Sequence, residues 1–283
     1  MAGSKNGFAL IKRGELAYLQ SPLLNASRIV DHAFSTRLGG CSTGAAASLN
    51  TAFHTDDQFE RVMENRRRLL EPWGYDAGAL VAGIQVHGTT VALVTEKDRG
   101  RGALPRSYLS ECDALVTAVP GLVLTAYAAD CLLLFLAAPR ERVIALAHAG
   151  WRGTLGNMAG TVVKYLAEHF AVAPGGILAA LSPGICRQCY QVNEAVADQF
   201  HSAGWGGPPY LAHATAGEYH LDLPAINATQ LRRAGIRAES LAEAAWCTAC
   251  RPDLFYSYRR DQGATGRMIG FMAISPVKEG CSG

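Results

Sequence analysis

The chain lacks an apolar segment long enough to cross a membrane. A spanning helix needs about 18 or more consecutive apolar residues, and no charge-free stretch of that length occurs in the 283 residues. The first basic residues are not followed by a long apolar core, so we expect no secretory signal. Internal repeats, low-complexity tracts and a clear linker are also missing, which predicts one domain over residues 1–283.

An excess of charge of either sign is missing as well. The 26 basic and 24 acidic residues give a net charge of +2, so there is no whole-protein reason to expect binding to nucleic acid or a membrane surface. Local basic residues can still hold a phosphate. The sequence leaves a monomer and a homodimer open.

Cysteine is plentiful. Eight cysteines without a secretory signal indicate a reducing compartment, and we expect the cytoplasm. Four of them form two Cys-x-x-Cys units, Cys186/Cys189 and Cys247/Cys250, and four thiolates can make a closed structural zinc site. However, 57 residues separate the units, far more than in usual zinc ribbons. The spacing therefore favours buried or incidental cysteines, and a redox pair stays open.

Two apolar runs of strand length in residues 129–154 predict a hairpin or adjacent strand pair. Cys131 opens the first run and His148 closes the second. If the strands are antiparallel neighbours, these two ends lie about one inter-strand spacing apart, roughly 5 Å. Such a thiol and imidazole can bind a metal or act as a nucleophile and its base.

His87 is a third candidate ligand, at a break between two short strand signals in residues 81–95. Two imidazoles and one thiolate would leave one position of a tetrahedral zinc open, as in catalytic sites. A water bound there would lose a proton near neutral pH. Spacing alone does not distinguish this from a structural histidine.

The remaining signals predict an α+β fold, with mixed β-sheets flanked by helices. Helical spacing of apolar residues marks residues 59–73 and a helix capped by Thr154 that runs to about residue 170. The run Arg66–Arg68 is expected to be a solvated face. Residues 201–219, rich in Gly, Pro, Ala and His, predict a long loop.

Motifs over most of the chain resemble the YfiH/DUF152 family, formerly described as multicopper polyphenol oxidases or laccase-like proteins. They include FSTRLGG (Phe34–Gly40), ASLN (Ala47–Asn50), QVHG (Gln85–Gly88), DALVT (Asp113–Thr117), ADC (Ala129–Cys131), AHAGWRGT (Ala147–Thr154), CTAC, FYSYRRD and TGRM. The resemblance implies a single domain with the fold of the YfiH and cysteine-hydrolase toxin type. It also implies that His87, Cys131 and His148 are the catalytic zinc ligands.

The resemblance further implies phosphorolysis of adenosine, inosine and S-methyl-5′-thioadenosine, with deamination of adenosine. In the deamination, zinc would activate water for attack on the purine C6. Phosphate needs an anion pocket, for which Arg37 and Arg152 are candidates with Arg259 behind them. A Gly150–Gly153 turn before a helix would add backbone N–H groups to such a pocket.

The purine needs an apolar or aromatic wall and hydrogen bonds, for which Asn50, Gln85 and Tyr258 are candidates. Asp130 is expected either to orient a ligand or move a proton, or to cap a turn. Two positions depart from the family pattern. Ile84 stands where an Asn usually precedes QVHG, and residues 185–192 (ICRQCYQV) lack a neighbouring Cys pair and gain an Arg.

Three other functions stay open. In a cysteine hydrolase acting on an amide or a peptidoglycan precursor, Cys131 would be the nucleophile and His148 its base, with N–H groups near Gly150 as the oxyanion hole. In a copper oxidase, copper would replace zinc, and copper can do so in vitro; eight histidines without a His-x-His pair disfavour a true laccase. A non-enzymatic binding protein would use zinc only structurally.

Overall fold

Two six-stranded sheets pack face to face and place the reactive residues at one edge. The computed structural model describes residues 7–215 and 217–276. The strands are β1 (Ala9–Arg13), β2 (Leu16–Gln20), β3 (Val30–Ser35), β4 (Leu80–Ala82), β5 (Val91–Leu93), β6 (Ala114–Thr117), β7 (Val123–Ala128), β8 (Leu132–Ala138), β9 (Val143–Ala149), β10 (Leu178–Leu181), β11 (Gln191–Asn193), β12 (Leu211–Thr215), β13 (Glu218–Leu221), β14 (Leu241–Glu243) and β15 (Met268–Ile274). The helices are α1 (Pro22–Asn25), α2 (Phe59–Leu70), α3 (Trp151–Leu155), α4 (Met158–Phe170), α5 (Glu194–Phe200) and α6 (Leu223–Arg233).

The strand order defines three sheets. Sheet 1 runs β1-β2-β3-β15-β7-β4, sheet 2 runs β14-β10-β8-β9-β6-β5, and the small sheet 3 runs β11-β13-β12. Most neighbours are antiparallel, whereas β4–β7, β5–β6 and β10–β14 are parallel. The predicted α+β class with mixed sheets and flanking helices is confirmed. The extent of the domain, residues 1–283, stays a prediction.

Strand β8 shows how the layers are built. Its even-numbered residues, such as Leu134, pack against α4 and α6, while its odd-numbered residues, such as Phe135, pack against sheet 1. The opposite face of sheet 1 packs against α2 and Trp73. The order of layers is therefore α2, sheet 1, sheet 2, then α4 with α6. A strand buried on both faces has no polar side, which explains its continuous apolar run.

The predicted central hairpin is confirmed. Strands β8 and β9 pair antiparallel with Leu133 opposite His148 and Leu132 opposite Ala149. Cys131 directly precedes β8 and therefore lies beside His148 at the same end of the ladder. The four-residue turn 139–142 closes the other end.

Two predicted elements were wrong. The helix after β9 does not start at a Thr154 cap: α3 starts at Trp151 behind Gly150, and α4 starts behind Asn157, whose side chain accepts the Gly160 N–H at 3.2 Å. Residues 201–219 are not one loop, because β12 and β13 form a hairpin there. Among the side chains of that hairpin that the structure describes, Leu211 and Leu221 are the deeply buried ones. With so few buried positions, the composition of this segment resembles that of a loop.

The expected solvated face at Arg66–Arg68 was wrong for Arg66. Its side chain is fully buried and donates hydrogen bonds to the carbonyl of Thr51 (2.8 Å), the carbonyl of Gly102 (2.8 Å) and the hydroxyl of Tyr127 (2.6 Å). Its guanidinium also lies 4.1 Å from the centre of the Phe53 ring. Arg66 therefore ties α2 to several separate segments of the chain.

No helix within residues 7–215 and 217–276 has the length and apolarity that a membrane crossing requires.

Candidate active site

A cavity of about 820 Å³ opens where β7 ends and β8 begins. The linker between these strands contributes Ala129, Asp130 and Cys131, and the end of β9 contributes His148. The other lining residues are Phe53, His54, Gly83, Ile84, Gln85, His87, Pro105, Arg106, Tyr108, Tyr127, Ala128, Trp151, Arg152, Tyr190, Tyr258, Arg259 and Arg267. Strand ends from both large sheets thus meet at one pocket, which is a common location for ligand sites.

The three candidate metal ligands lie together on the cavity wall. One ligand atom from each of His87, Cys131 and His148 lies within 4.8 Å of the others. The two imidazole centres are 4.9 Å apart and their planes are nearly perpendicular, at 79°. The pairing of β8 with β9 places Cys131 beside His148, and His87 lies in the loop between β4 and β5.

Asp113 orients both histidines. Its Oδ1 lies 2.8 Å from Nδ1 of His148, which leaves Nε2 of that ring for the cluster. The carboxylate also accepts the backbone N–H groups of Val86, His87 and Gly88 at 3.1, 3.0 and 2.8 Å. A carboxylate behind a histidine is the usual support of a metal ligand, because it fixes the tautomer and the ring orientation. This role of Asp113 was not predicted from the sequence, although the residue begins the DALVT motif.

Gly150 allows the chain to pass close to the cluster. A Cβ atom at this position would lie 2.8 Å from Cδ2 of His87 and 3.0 Å from Sγ of Cys131. Both distances are shorter than a non-bonded contact tolerates, so a side chain here would displace the candidate ligands. His87 itself has a left-handed backbone, with φ at 63°.

The thiol and the imidazole stabilise each other's charged form. Burial raises the pKa of Cys131, but the positive charge of His148 and hydrogen bonds from His148 and His87 outweigh it and hold the pKa well below its usual range. Burial lowers the pKa of His148, but the Cys131 thiolate and the hydrogen bond to Asp113 outweigh it and raise the pKa. The pair thus favours a thiolate, which is the form that binds metals and attacks electrophiles.

The donor set fits zinc. Two imidazoles and one thiolate are ligands that zinc takes readily, and three protein ligands leave one of four positions for water or substrate. A blue-copper site takes the same two histidines and one cysteine with a weak axial ligand, such as Met, Gln or a backbone oxygen. No methionine is among the residues that line the cavity, and the amide of Gln85 is bonded to the backbone of Tyr127. In the described ranges, the other group of three or more potential ligands consists of cysteines alone. The described residues therefore contain no histidine-rich cluster that could bind several copper ions.

Four arginines make the cavity strongly cationic. Arg152 and Arg259 were predicted, whereas Arg106 and Arg267 were not. None of the four forms an ion pair with a carboxylate in the part of the chain that the structure describes. Burial, then the charges of Arg267 and Arg66, lower the pKa of His54 to about 4. The cavity therefore carries positive charge that an anionic ligand can neutralise.

Two predicted binding residues lie outside the cavity lining. Arg37 donates to the carbonyl of Ala47 from Nε and Nη2, at 2.9 and 2.7 Å, and to the carbonyl of Pro252 from Nη1. Asn50 is fully buried, and its side-chain oxygen accepts the backbone N–H of Arg267 at 2.9 Å. The phosphate role of Arg37 and the purine role of Asn50 stay predictions, and in this structure their polar atoms bond to the protein.

Gln85 and Asp130 line the cavity with their polar atoms already paired. The amide of Gln85 donates to the carbonyl of Tyr127 at 2.9 Å and accepts its N–H at 2.8 Å, so it pins the QVHG loop to β7. Asp130 accepts the Thr248 hydroxyl at 2.6 Å and the Arg259 N–H at 2.7 Å. These bonds favour the turn-holding role of Asp130 over proton transfer.

Aromatic side chains make up much of the rest of the wall. Tyr258 was predicted, and its side chain is 56% exposed. The aromatic residues that sequence reasoning missed are Phe53, Tyr108, Tyr127, Trp151 and Tyr190. They come from separate loops, and the signal that could have found Trp151 is its place in the HAGWRGT motif.

The comparisons with known proteins agree with this architecture. A family model described as multi-copper polyphenol oxidoreductase laccase matches residues 31–275. The chain is 40% identical over 265 residues to the purine nucleoside phosphorylase of Deinococcus radiodurans, which covers 93% of this chain and 96% of the relative. It is 32% identical over 231 residues to adenosine deaminase RL5 of an unknown prokaryotic organism, at 81% and 88% coverage.

A solved structure gives the same picture at the level of the fold. The crystal structure of YlmD from Geobacillus stearothermophilus superposes with a TM-score of 0.88 at 34% identity, covering 96% of this chain and all of that one. The match includes the mixed sheets and helices described above. The chain therefore belongs to the YfiH/DUF152 family, whose model bears the description multi-copper polyphenol oxidoreductase laccase.

Proposed function

We propose that the protein is a zinc-dependent purine nucleoside phosphorylase that acts on adenosine, inosine and S-methyl-5′-thioadenosine, and that it also deaminates adenosine. The observation that carries the proposal is the cluster of His87, Cys131 and His148 on the wall of an arginine-lined aromatic cavity. A relative named purine nucleoside phosphorylase supports the first reaction, and a relative named adenosine deaminase supports the second. The substrates are a small nucleoside and phosphate, and the expected location is the cytoplasm.

Phosphate binding is assigned to Arg152, Arg259 and Arg267. Guanidinium groups match phosphate oxygens with paired N–H donors, and these three line the cavity without carboxylate partners among the described residues. Arg152 and Arg259 lie 4.4 and 4.9 Å from the ring centres of Trp151 and Tyr190. Stacking of this kind holds a guanidinium in place. Nη1 of Arg259 donates to the Gln191 carbonyl and Nη1 of Arg267 to the carbonyls of Thr265 and Gly266, so the remaining N–H groups are the ones that would contact phosphate.

Purine binding is assigned to the aromatic wall. The rings of Tyr127 and Tyr258 line the cavity and offer flat apolar surfaces of the size of a purine. In phosphorolysis a phosphate oxygen attacks the sugar C1′ and the purine leaves with negative charge. Guanidinium donors near the base offset that charge in the transition state, so the arginines assist both the entering and the leaving group.

His87, Cys131 and His148 would hold the zinc, and Asp113 would keep the His148 ring in the ligating tautomer. When bound, zinc supplies Lewis-acid chemistry, which polarises an oxygen and activates water. The chain's own contribution is to orient the ligands, to bind the anion and to stack the base. The carboxylate of Asp130 accepts the backbone N–H of Arg259 and so fixes the main chain of this proposed phosphate-binding residue.

Elemental analysis combined with an adenosine assay tests the proposal. With phosphate, the protein should release adenine and ribose 1-phosphate; without phosphate, it should form inosine. Cys131→Ser and His148→Ala should each lose the metal of this site together with both activities. A Cys131→Ser protein that lacks this metal and keeps full turnover would contradict the assignment.

A cysteine hydrolase is the second candidate, because Asp113, His148 and Cys131 form an ordered carboxylate–imidazole–thiol series. Its substrate would be an amide or a peptidoglycan precursor. The discriminating experiment is alkylation of Cys131 by iodoacetamide with and without a chelator. Rapid alkylation of the untreated protein, without nucleoside turnover, would favour the hydrolase, whereas protection that a chelator removes favours the metal site.

A further inference from the structure

The topology brings together the two Cys-x-x-Cys units that are far apart in sequence. Cys186 and Cys189 follow β10, and Cys247 and Cys250 follow β14. Because β10 and β14 are parallel neighbours, the chain leaves both at the same edge of sheet 2. The pairing continues past the strands, with Gly184 opposite Cys247 and the Thr248 N–H donating to the Gly184 carbonyl at 3.1 Å.

The four thiols form one compact cluster. All four sulfur atoms lie within 4.8 Å of one another, and the Cys189 and Cys250 sulfurs are 3.3 Å apart. A tetrahedral zinc with Zn–S bonds of about 2.3 Å needs sulfurs about 3.8 Å apart, so small adjustments would complete the site. The Cys186 N–H also donates to the Cys247 sulfur at 3.2 Å, a bond that favours a thiolate.

We propose that Cys186, Cys189, Cys247 and Cys250 bind a structural zinc ion, separate from the His87–Cys131–His148 cluster. Four protein thiolates fill all four positions of zinc, so this site is closed and cannot bind a substrate. The sequence favoured buried or incidental cysteines because 57 residues separate the two units, and the pairing of β10 with β14 removes that objection. Two disulfides would instead use the sulfurs as separate pairs, and the compact group of four favours a single ion.

The proposed zinc would brace one wall of the cavity. Thr248, next to Cys247, donates its hydroxyl to Asp130, and the Ile185 N–H donates to the Asp130 carbonyl at 2.9 Å. Tyr190, next to Cys189, lines the cavity and carries the stacked guanidinium of Arg259. The ion would thus hold the segments around Cys186 and Cys247 against the turn at Asp130, which precedes Cys131.

Metal stoichiometry tests the proposal independently of any activity. The wild-type protein, purified under reducing conditions, should hold two zinc ions per chain. Cys250→Ser and Cys189→Ser should each remove one equivalent, and Cys131→Ser should remove the other. Cys41→Ser, which changes a partly buried thiol outside both clusters, is the matched control and should keep two.

X-ray absorption of the Cys131→Ser protein provides a measurement that does not disturb the four cysteines. Its remaining zinc should show only sulfur neighbours at about 2.3 Å. Three outcomes would overturn the proposal: unchanged metal content in both Cys250→Ser and Cys189→Ser, disulfides among these cysteines in the intact mass of the reduced preparation, or iron in the sulfur shell. If the catalytic cluster binds no metal, Cys250→Ser should still lose one equivalent, so the two proposals fail separately.

Discussion

Asp113 shows how one side chain can set up a whole site. Its carboxylate contacts His148 and the three backbone N–H groups around His87. We expect Asp113→Asn to weaken zinc binding at the proposed site of His87, Cys131 and His148 by about 10- to 100-fold, because an amide cannot hold the His148 tautomer as a carboxylate does. Competition with a chromogenic chelator measures this affinity.

The matched control for that experiment is Asp198→Asn, a change of the same chemistry at an exposed position of α5. It should leave the affinity unchanged. Equal metal affinity in Asp113→Asn and wild type would show that Asp113 does not support the ligands.

Arg152 tests the phosphate assignment. A charged hydrogen bond contributes about 1.5–3 kcal/mol, so Arg152→Ala should raise the phosphate KM by about 10- to 100-fold with the zinc content unchanged. Steady-state phosphorolysis at saturating adenosine measures it. Arg140→Ala, in the exposed β8–β9 turn at the far end of the hairpin, is the control. An unchanged phosphate KM in Arg152→Ala would remove this residue from the pocket.

The place of a residue could be predicted from the sequence where the residue belonged to a motif, and could not where its contacts lie in remote segments. Cys131 and His148 mark the ends of two readable strands, so their proximity could be predicted. Arg66 was predicted to be solvated because it belongs to a run of three arginines. Its hydrogen-bond acceptors, the carbonyls of Thr51 and Gly102, lie in other segments of the chain. Nothing in a linear pattern reports such partners.

Strands buried on both faces were the most predictable elements. The apolar runs of β8 and β9 are long and uninterrupted, because helices cover one side and sheet 1 covers the other. The hairpin of β12 and β13 was missed for the opposite reason, since it belongs to a small sheet with few buried residues. Periodicity is visible only where burial is consistent.

Gly270 sets the distance between the two large sheets. It lies in β15, and a Cβ atom there would be 2.5 Å from Cδ1 of Leu133 and 2.9 Å from Cζ of Phe135 in β8. We expect Gly270→Ala to destabilise the protein by about 1–3 kcal/mol, the usual cost of overpacking a core. Urea unfolding measures the change.

A double-mutant cycle tests the cause of that destabilisation. Leu133→Ala removes the closest clashing atom, so Gly270→Ala should cost less in that background than in wild type. If Gly270→Ala lowers the free energy of unfolding equally in wild type and in Leu133→Ala, the destabilisation does not come from the contact with Leu133.

At the scale of the whole molecule, the sequence indicated the fold class and the resemblance indicated the family. Beyond the β8–β9 hairpin and the set of His87, Cys131 and His148, neither indicated which segments meet. The cysteine units illustrate the reason. Their linear separation disfavoured a shared site, and only the parallel pairing of β10 with β14 removes that objection. Strand order is a long-range property, and local patterns do not encode it.

The packing of the two sheets also predicts how stability depends on pH. His32 of β3 is fully buried, accepts the Ser21 N–H at Nε2 (2.8 Å) and packs against Phe135 of the facing sheet. Burial lowers its pKa from 6.5 to about 4. Between these values the unfolded chain binds more protons than the folded one, so stability is complete above pH 6.5 and falls as pH is lowered towards 4.

The loss from His32 alone should reach about 3 kcal/mol at pH 4. His32→Gln keeps an acceptor for Ser21 but cannot titrate, so its stability relative to wild type should improve by that amount between pH 7 and pH 4. Urea unfolding of both proteins across this range measures the difference. A difference that stays constant with pH would mean that His32 binds its proton at the same pH in the folded and the unfolded chain, so that burial between the two sheets does not lower its pKa.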